Sequence, residues 1–398
     1  MSHHPPSPSP AGRRHLVLVG GGHTHVQVLR RFIMEPPRDL RVTLIVDTPI
    51  AVYSGMVPGF VAGQYAAAEL EIDVVPLARR AGAEVVLAPA TGVDAGRRRV
   101  MVAGRPPIRY DLASFDIGST VIGLELPGVR EHAIPTRPIG RLVQRVDELL
   151  RQAAELDRPP RIIVVGGGAG GVELAFTLEW RLREMGSTPE VTLLHAGERL
   201  LEGFPPGLAT RAQRAFKRRG IAVRPATRVA SATDNGVVLA SGASLACDFL
   251  VWVAGATSYG ILRDSGLPTD DRGFVLTRRT LQVEGFDELF AVGDCATLKD
   301  YPDTPKAGVF AVRQGPYLTD NLRSAAAGKP LREYKPQGDF LILLNLGDGS
   351  ALGAKWGVSF EGRWVMRLKD RIDKKFMRRF QVLDDTGEAL GEFAKMPT

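Results

Sequence analysis

Cysteine is scarce in this sequence. Only Cys247 and Cys295 occur in 398 residues, far apart and in no Cys-x-x-Cys pair, so a disulfide framework, a multi-cysteine zinc site and a redox-active dithiol all lack their raw material. A reducing compartment is the matching expectation. Long apolar runs are missing too: no window reaches the roughly 18 uncharged apolar residues that a spanning helix needs, which leaves only peripheral membrane contact. The opening residues, MSHHPPSPSPAGRR, have no apolar core, so residues 1–13 read as a disordered tail and not as a signal peptide. A cytoplasmic location is expected. The net charge of +7 suits anionic cofactors, anionic lipid or nucleic acid without choosing among them.

What is present is a repeated device. Apolar β-branched runs end in glycine loops and pass into amphipathic segments, the signature of strand–helix–strand units around parallel sheets. The first copy runs from His15 to Val19, through a helix from His25 to Met34, to a strand at Arg41 to Val46. The second runs from Arg161 to Val165, through Gly171 to Met185, to Glu190 to Leu194. A helical stretch near Ile139 to Glu155 and the proline-marked Asp157-Arg-Pro-Pro160 separate them. Short buried runs at Phe249 to Ala254 and Leu289 to Val292 return to complete the sheets. The fold class is therefore α/β, with two Rossmann-like dinucleotide-binding domains. One is discontinuous, over 14–145 and 275–335, and the other is inserted, over 146–274. Residues 336–398 form a small α+β cap, with a hairpin around Gly347-Asp-Gly349 and a basic helix after Trp364.

In the second copy, Gly166-Gly-Gly-Ala-Gly-Gly171 has the full G-x-G-x-x-G spacing between strand and helix, with Gly166, Gly168 and Gly171 at the defining positions. Such glycines permit a tight turn and close backbone approach, while free amides at the helix start face a pyrophosphate. In the first copy, Gly20-Gly21-Gly22-His23-Thr24-His25, a histidine replaces the third glycine. That glycine serves helix–strand packing, so the helix should move outward while the cradle of Gly20 and Gly22 survives. Asp47, ending the strand RVTLIVD, stands where a carboxylate accepts a ribose hydroxyl. A metal at His23 and His25 has no third ligand in view, and none is expected. At the end of EVTLL the second copy has His195 instead of a carboxylate. Either Glu198 serves from the next turn, or His195 and Arg199 accept a 2'-phosphate.

Two such units, the phrase Leu289-Phe-Ala-Val-Gly-Asp-Cys-Ala296 and the turn Val251-Trp-Val-Ala-Gly-Ala-Thr257 resemble the two-dinucleotide-binding flavoproteins of the pyridine nucleotide-disulfide oxidoreductase superfamily. Within it, GGGHTHVQVL, Ala51-Val-Tyr-Ser-Gly-Met-Val-Pro-Gly59 and Ala311-Val-Arg-Gln-Gly315 are similar to the subgroup associated with selenide, water dikinase. That subgroup is itself similar to type II NADH:quinone and sulfide:quinone oxidoreductases. The resemblance implies FAD at the first loop and NAD(P)H at the second. It implies that Gly293 and Asp294 meet the FAD ribityl-pyrophosphate region, that Ala90, Gly118 and Ser119 lie near its adenine half, and that Ser54, Gly55 and Met56 lie near the isoalloxazine. Gly255 belongs with the cofactor-binding turns, and Glu173 matches a residue close to the flavin.

The function expected is an FAD-dependent NAD(P)H oxidoreductase that passes electrons to a quinone or another small acceptor without a dithiol. Glu173 is a proton carrier or an ordinary first-turn glutamate. Lys306, with the helix starting near Ala307, supplies positive potential to the flavin pyrimidine edge or is a solvated loop lysine. Arg313 and Gln314 line the acceptor face. The competing readings are a reductase of selenium or sulfur metabolism and a flavin-binding redox sensor with little turnover. In the terminal helix, Trp364, Leu368, Ile372, Phe376 and Phe380 recur every four residues among Arg367, Lys369, Arg371, Lys374, Lys375, Arg378 and Arg379. This face either lies on anionic lipid or packs on its own domain. A homodimer is compatible with the sequence, and no nucleic-acid module is recognised in it.

Overall fold

A computed structural model describes residues 12–380; most of the expected N-terminal tail and the last part of the cap fall outside them. In chain order the elements used below are β1 (Arg14–Val19), α1 (His23–Met34), β2 (Leu40–Val46), β3 (Glu84–Leu87), β4 (Leu112–Phe115), β5 (Ala133–Pro135) and β6 (Arg161–Val165). There follow α2 (Ala169–Glu184), β7 (Glu190–Leu194), α3 (Pro206–Arg219), β8 (Ala222–Arg224), β9 (Phe249–Trp252), β10 (Leu289–Ala291) and α4 (Gly308–Ala326). The chain continues through β11 (Ile342–Asn345), β12 (Ala351–Lys355), β13 (Val358–Gly362) and α5 (Arg363–Met377).

The chain forms two compact units. Unit 1, residues 12–51, 73–118 and 258–336, is built on a parallel sheet of order β10-β4-β1-β2-β3. Its central strand is apolar on both faces, as a covered parallel strand must be: Leu16, Val17, Leu18 and Val19 are all buried. Val26, Leu29 and Phe32 recur at helical spacing along α1 and are fully buried. Unit 2, residues 52–72, 119–257 and 337–380, repeats the plan with a parallel sheet of order β5-β9-β6-β7-β8. Each unit also carries a three-stranded antiparallel meander, over 90–109 in unit 1 and 229–246 in unit 2; neither is evident from the sequence pattern.

These units divide the chain differently from the domains read off the sequence. Residues 119–145 go with unit 2 because β5 pairs with β9 and Thr120–Val121 pairs with Ala256–Thr257. The cap also joins unit 2, where Ser359 and Glu361 of β13 accept from Arg211 and Arg218 of α3. The expected hairpin is present, as β11 and β12 pair antiparallel around the Gly347–Gly349 turn, and β13 adds a third strand.

One buried charge holds this unit together. Glu179 of α2 is 2% exposed, and its carboxylate accepts from Arg183 and from Arg219 at the end of α3. The Arg219 guanidinium also lies over the rings of Phe176 and Trp180, while Phe176 stacks on Phe216 at 4.1 Å. Removing one partner of such a pair strands a buried charge and costs about 3 kcal/mol. Arg219→Ala should therefore lower the unfolding free energy of unit 2 by about that amount in urea denaturation, and a change under 1 kcal/mol would mean that Arg183 alone suffices.

Candidate active site

In the first cradle the chain leaves β1 at Gly20 with φ +94, and a Cβ built there would overlap the carbonyl oxygen of Asp116. A Cβ on Gly22 would overlap the Asp116 carboxylate, and one on Gly293 would come within 2.6 Å of its Oδ1. The three glycines thus surround one buried acid. Asp116 Oδ2 accepts from the amides of Thr24 at 2.8 Å and His25 at 2.9 Å, so a side chain from the end of β4 caps α1. The helix dipole favours a negative group there. Burial nevertheless raises the Asp116 pKa to about 7, with nearby Asp294 adding to the rise and the two amides opposing it.

His25 is fully buried. Its Nδ1–H donates to the Gly20 carbonyl and its Nε2 accepts from the Ser114 hydroxyl, both at 2.8 Å. This tautomer is required because a carbonyl can only accept. Burial pulls the imidazole pKa down to about 4, so the ring is neutral. It acts as a tie between turn and sheet. The surrounding residues fit a dinucleotide: Gly20, Gly22 and Gly293 pack so closely on Asp116 that only a bare backbone passes, which keeps the turn tight at the helix start, and Asp47 is exposed just past β2. Ala90 opens the unit 1 meander, with Gly118 at φ +70. Ser119 is buried in unit 2 and accepts from Arg137.

Asp294, Lys306 and Gln314 line one small cleft of unit 1. Lys306 donates to the Ala296 carbonyl and, at 2.9 Å, to the Thr297 hydroxyl, with its ammonium 4.2 Å from the Phe274 ring centroid. Burial lowers its pKa to about 8, against the pull of Asp294 and Asp270. It is therefore not a solvated loop lysine. Gln314 turns inward and accepts from the Gly293 amide at 2.7 Å, whereas Arg313 is exposed; the two do not share a face.

The second cradle has the same turn with different filling. Gly166 has φ +127, and a Cβ there would overlap the Val253 carbonyl, while one on Gly171 would overlap the Gly166 carbonyl. Gly168, the N-cap of α2, has open space beside it. Val253 follows β9 as Asp116 follows β4, so an apolar side chain replaces the acid. His195 is spent within the loop: its Nδ1 accepts from the Gly167 amide at 3.2 Å and its Nε2–H donates to the Arg199 carbonyl at 2.9 Å. Of the two alternatives read from the sequence, Glu198 or the pair His195 and Arg199, the His195 ring already has both nitrogens bonded to loop backbone. Glu198 and Arg199 are exposed beyond β7, and Gly255 is exposed with its carbonyl accepting from Ile122.

A third polar group lies within unit 2; the sequence pointed to Glu173 and the Ser54–Met56 turn but not to the buried side chains beside them. Ser54–Met56 form a single 3-10 turn, and the Gly55 carbonyl accepts from Lys369 Nζ at 2.6 Å. Lys369 and Asp373, one turn apart on α5, are 6% and 4% exposed and pair at 2.8 Å. Tyr53 donates its hydroxyl to Asp373 at 3.1 Å. Glu173 accepts from the Asn345 amide at 2.8 Å, and Asn345 in turn donates to Gln64. Glu173 is partly exposed, yet desolvation raises its pKa to about 7 against the opposing effects of Lys369 and Asn345. For Lys369 burial works downward, yet Asp373 and Glu173 together hold its pKa above the ordinary lysine value.

The apolar stripe expected on α5 is corrected here. Residues four apart advance 400° on a 3.6-residue helix and so drift about 40° per step. Trp364 and Ile372 are 54% and 42% exposed, while Phe376 and Phe380 are buried, as are Val365 and Met366. The buried face carries Lys369 and Asp373 instead.

The sequence pattern of the pyridine nucleotide-disulphide oxidoreductases matches residues 14–315. The chain belongs to that family. NADH dehydrogenase-like protein YutJ of Bacillus subtilis is 26% identical over 359 residues, spanning 90% of this chain and 97% of that protein. The type II NADH:quinone oxidoreductase of Staphylococcus saprophyticus is 23% identical over 393 residues, covering 91% and 95%. The sulfide:quinone oxidoreductase of Aquifex aeolicus has the same fold, with a TM-score of 0.79 at 17% identity, over 96% of this chain and 94% of that one.

This family member has no dithiol. Both cysteines are free and buried; burial raises the Cys247 thiol to about 11 and the Cys295 thiol to about 12. Among the described residues no cluster of His, Cys, Asp and Glu is arranged for a metal.

The cradles make a paired prediction. Gly171→Ala should cost 3 kcal/mol or more in urea denaturation because the methyl meets backbone that cannot retreat. Gly168→Ala, facing open space, should cost under about 1 kcal/mol, and equal costs would refute the steric account. His25→Ala, which leaves the Gly20 carbonyl and Ser114 hydroxyl unsatisfied, should cost about 2–4 kcal/mol.

Proposed function

We propose that the chain is an FAD-dependent NAD(P)H oxidoreductase that delivers electrons to a quinone or similar small acceptor, with FAD at the first cradle and NAD(P)H at the second. The observation that carries this reading is the presence of two complete strand–turn–helix cradles in a chain whose only thiols are sealed. FAD, when bound, supplies the two-electron chemistry. The chain's residues do the rest. Gly20, Gly22 and Gly293 admit the phosphates, Asp47 accepts from a ribose hydroxyl, and Lys306 and Asp294 set the charge of the unit 1 cleft. In unit 2, Lys369 fixes the backbone of the Ser54–Met56 turn, where the isoalloxazine is expected, and Glu173 holds the exchangeable proton.

Support for a quinone comes from the type II NADH:quinone oxidoreductase relative and from a cavity of about 430 Å³ in unit 2 lined by Gln64, Tyr65, Arg363, Met366, Arg367 and Asp370. The finer kinship with the selenide, water dikinase-associated group belongs to this proposal and rests on GGGHTHVQVL and the Ser54–Met56 segment; selenium and sulfur acceptors therefore join the acceptor screen. Peripheral binding at the cytoplasmic face of a membrane is likewise proposed. Among the described residues no helix is long and apolar enough to cross a membrane, but Trp356, Val358, Trp364 and Ile372 are exposed in the C-terminal part of unit 2, and Arg363, Arg367 and Arg371 are exposed on α5.

Two measurements test these readings. Anaerobic mixing of FAD-loaded protein with NADH or NADPH should bleach the flavin rapidly, and a quinone should restore the colour; slow bleaching with both coenzymes would leave a sensor. Vesicles containing anionic lipid should carry the protein upward in flotation at low salt and release it at high salt. Protein that stays at the bottom at low salt would remove the membrane from the proposal.

A further inference from the structure

The first cradle has its own acid at the place where a phosphate would bind. A strand–turn–helix cradle offers a pyrophosphate the amides at the start of its helix. In α1 two of those amides, from Thr24 and His25, are already held by Asp116 Oδ2 at 2.8 and 2.9 Å, and the Gly22 amide donates to the Asp116 carbonyl at 3.1 Å. The Thr24 hydroxyl also lies beside the carboxyl, but it gives its proton to the Ala311 carbonyl at 2.9 Å. Oδ1 is thereby left without a donor among the described residues, although Asp116 is only 3% exposed. That oxygen lies against the glycines of the cradle: a Cβ on Gly22 would overlap it, and one on Gly293 would stand 2.6 Å away. A few amides thus face two anions, one from the chain and one from the ligand.

The pyrophosphate of FAD is a dianion at any pH near neutral, so relief of the repulsion falls to the carboxyl. We propose that FAD binding at the first cradle is proton-linked through Asp116, whose carboxyl takes one proton from solvent as the pyrophosphate enters and changes from a competing anion into an O–H donor. The proposal rests on the placing of FAD at the first cradle given above. One O–H bond forms on Asp116 at the expense of water or buffer, and no bond of FAD breaks. The second cradle has Val253 at the equivalent place, which can take no proton, so the device is confined to the first.

The groups facing Asp116 direct the proton to it. Asp294, on the turn Gly293–Cys295, adds negative charge and strengthens the hold of Asp116 on a proton, while the Thr24 and His25 amides oppose it. The His25 ring is neutral with both nitrogens engaged. His23, on the same helix, is lowered by burial against the pull of Asp294. The Cys295 thiol keeps its proton, and Lys306 faces both that thiol and Asp294. Gln314 of α4 contributes only a neutral oxygen, at the Gly293 amide. By itself the chain sets Asp116 at about 7, so the acid is neutral well below that pH and charged above it. Added phosphate charge raises the value further. Uptake is therefore absent at low pH and grows as pH rises through 7.

Calorimetric titration of FAD into the full-length, FAD-free protein, in buffers of different ionisation enthalpy, counts these protons. Uptake should be close to zero at about pH 5.5 and approach one proton per FAD at about pH 8.5, with affinity falling about tenfold between pH 6 and pH 8. Asp116→Asn, which keeps an acceptor for the helix amides and is neutral throughout, should bind FAD without uptake and about tenfold more tightly than wild type at pH 8. Infrared difference spectra at that pH should gain one protonated-carboxyl band when FAD binds, and the band should be missing from Asp116→Asn, which separates Asp116 from Asp294. Asp116→Ser, a smaller neutral acceptor, serves if Asp116→Asn does not fold. Uptake that stays flat with pH in the wild type, or that survives in a folded Asp116 variant, overturns the proposal. Folded protein that takes up no FAD at any pH overturns the functional reading instead.

Discussion

Everything at the two cradles follows from how closely the chain passes a neighbouring carbonyl as it leaves a central parallel strand. Gly20 lies against the Asp116 carbonyl and Gly166 against the Val253 carbonyl, both with positive φ. Any side chain would collide with backbone that is itself anchored in the sheet. The helix that follows must therefore begin at one place, with its first amides directed across the sheet end. Strand order, turn and helix start are a single constraint, imposed once in each unit.

Within that shared frame the units differ in how they treat buried charge. Unit 1 gives the helix end an acid, Asp116, and ties the turn with a neutral imidazole. Unit 2 puts Val253 and Gly171 at the equivalent places and keeps its buried acids on α2 and α5. Glu179 is matched by two arginines and serves packing. Glu173 and Asp373 share the field of one lysine, Lys369, and burial raises the pKa of both. The same residue type on one helix, six positions apart, thus has opposite electrostatic fates.

Legibility in the sequence followed the range of the interactions. Arg161–Val165, Glu190–Leu194 and their helix were readable because strand alternation, glycine spacing and helix periodicity are local signals. Asp116 was not, because its role depends on folding β4 beside β1, which no motif in LASFD announces. At His195 the sequence left a choice between Glu198 and the His195–Arg199 pair because position alone was visible, while the two internal hydrogen bonds of the imidazole were not. Lys369 and Asp373 were hidden by composition: a lysine among many basic residues gives no hint of burial, and the four-residue apolar spacing pointed to a face that winds away around the helix. The meander strands are short and irregular, with register shifts near Ala90 and Val229, so their alternation is broken.

The sealed state of Cys247 and Cys295 has a practical side. Cys295 Sγ lies 3.1 Å from the Val292 carbonyl, and both thiols stay protonated, so alkylating reagents and spin labels find almost no native thiolate to attack. A single cysteine introduced on the surface would then carry a fluorophore or nitroxide alone. Local motion around that one site then becomes measurable during turnover in a protein that is otherwise wild type.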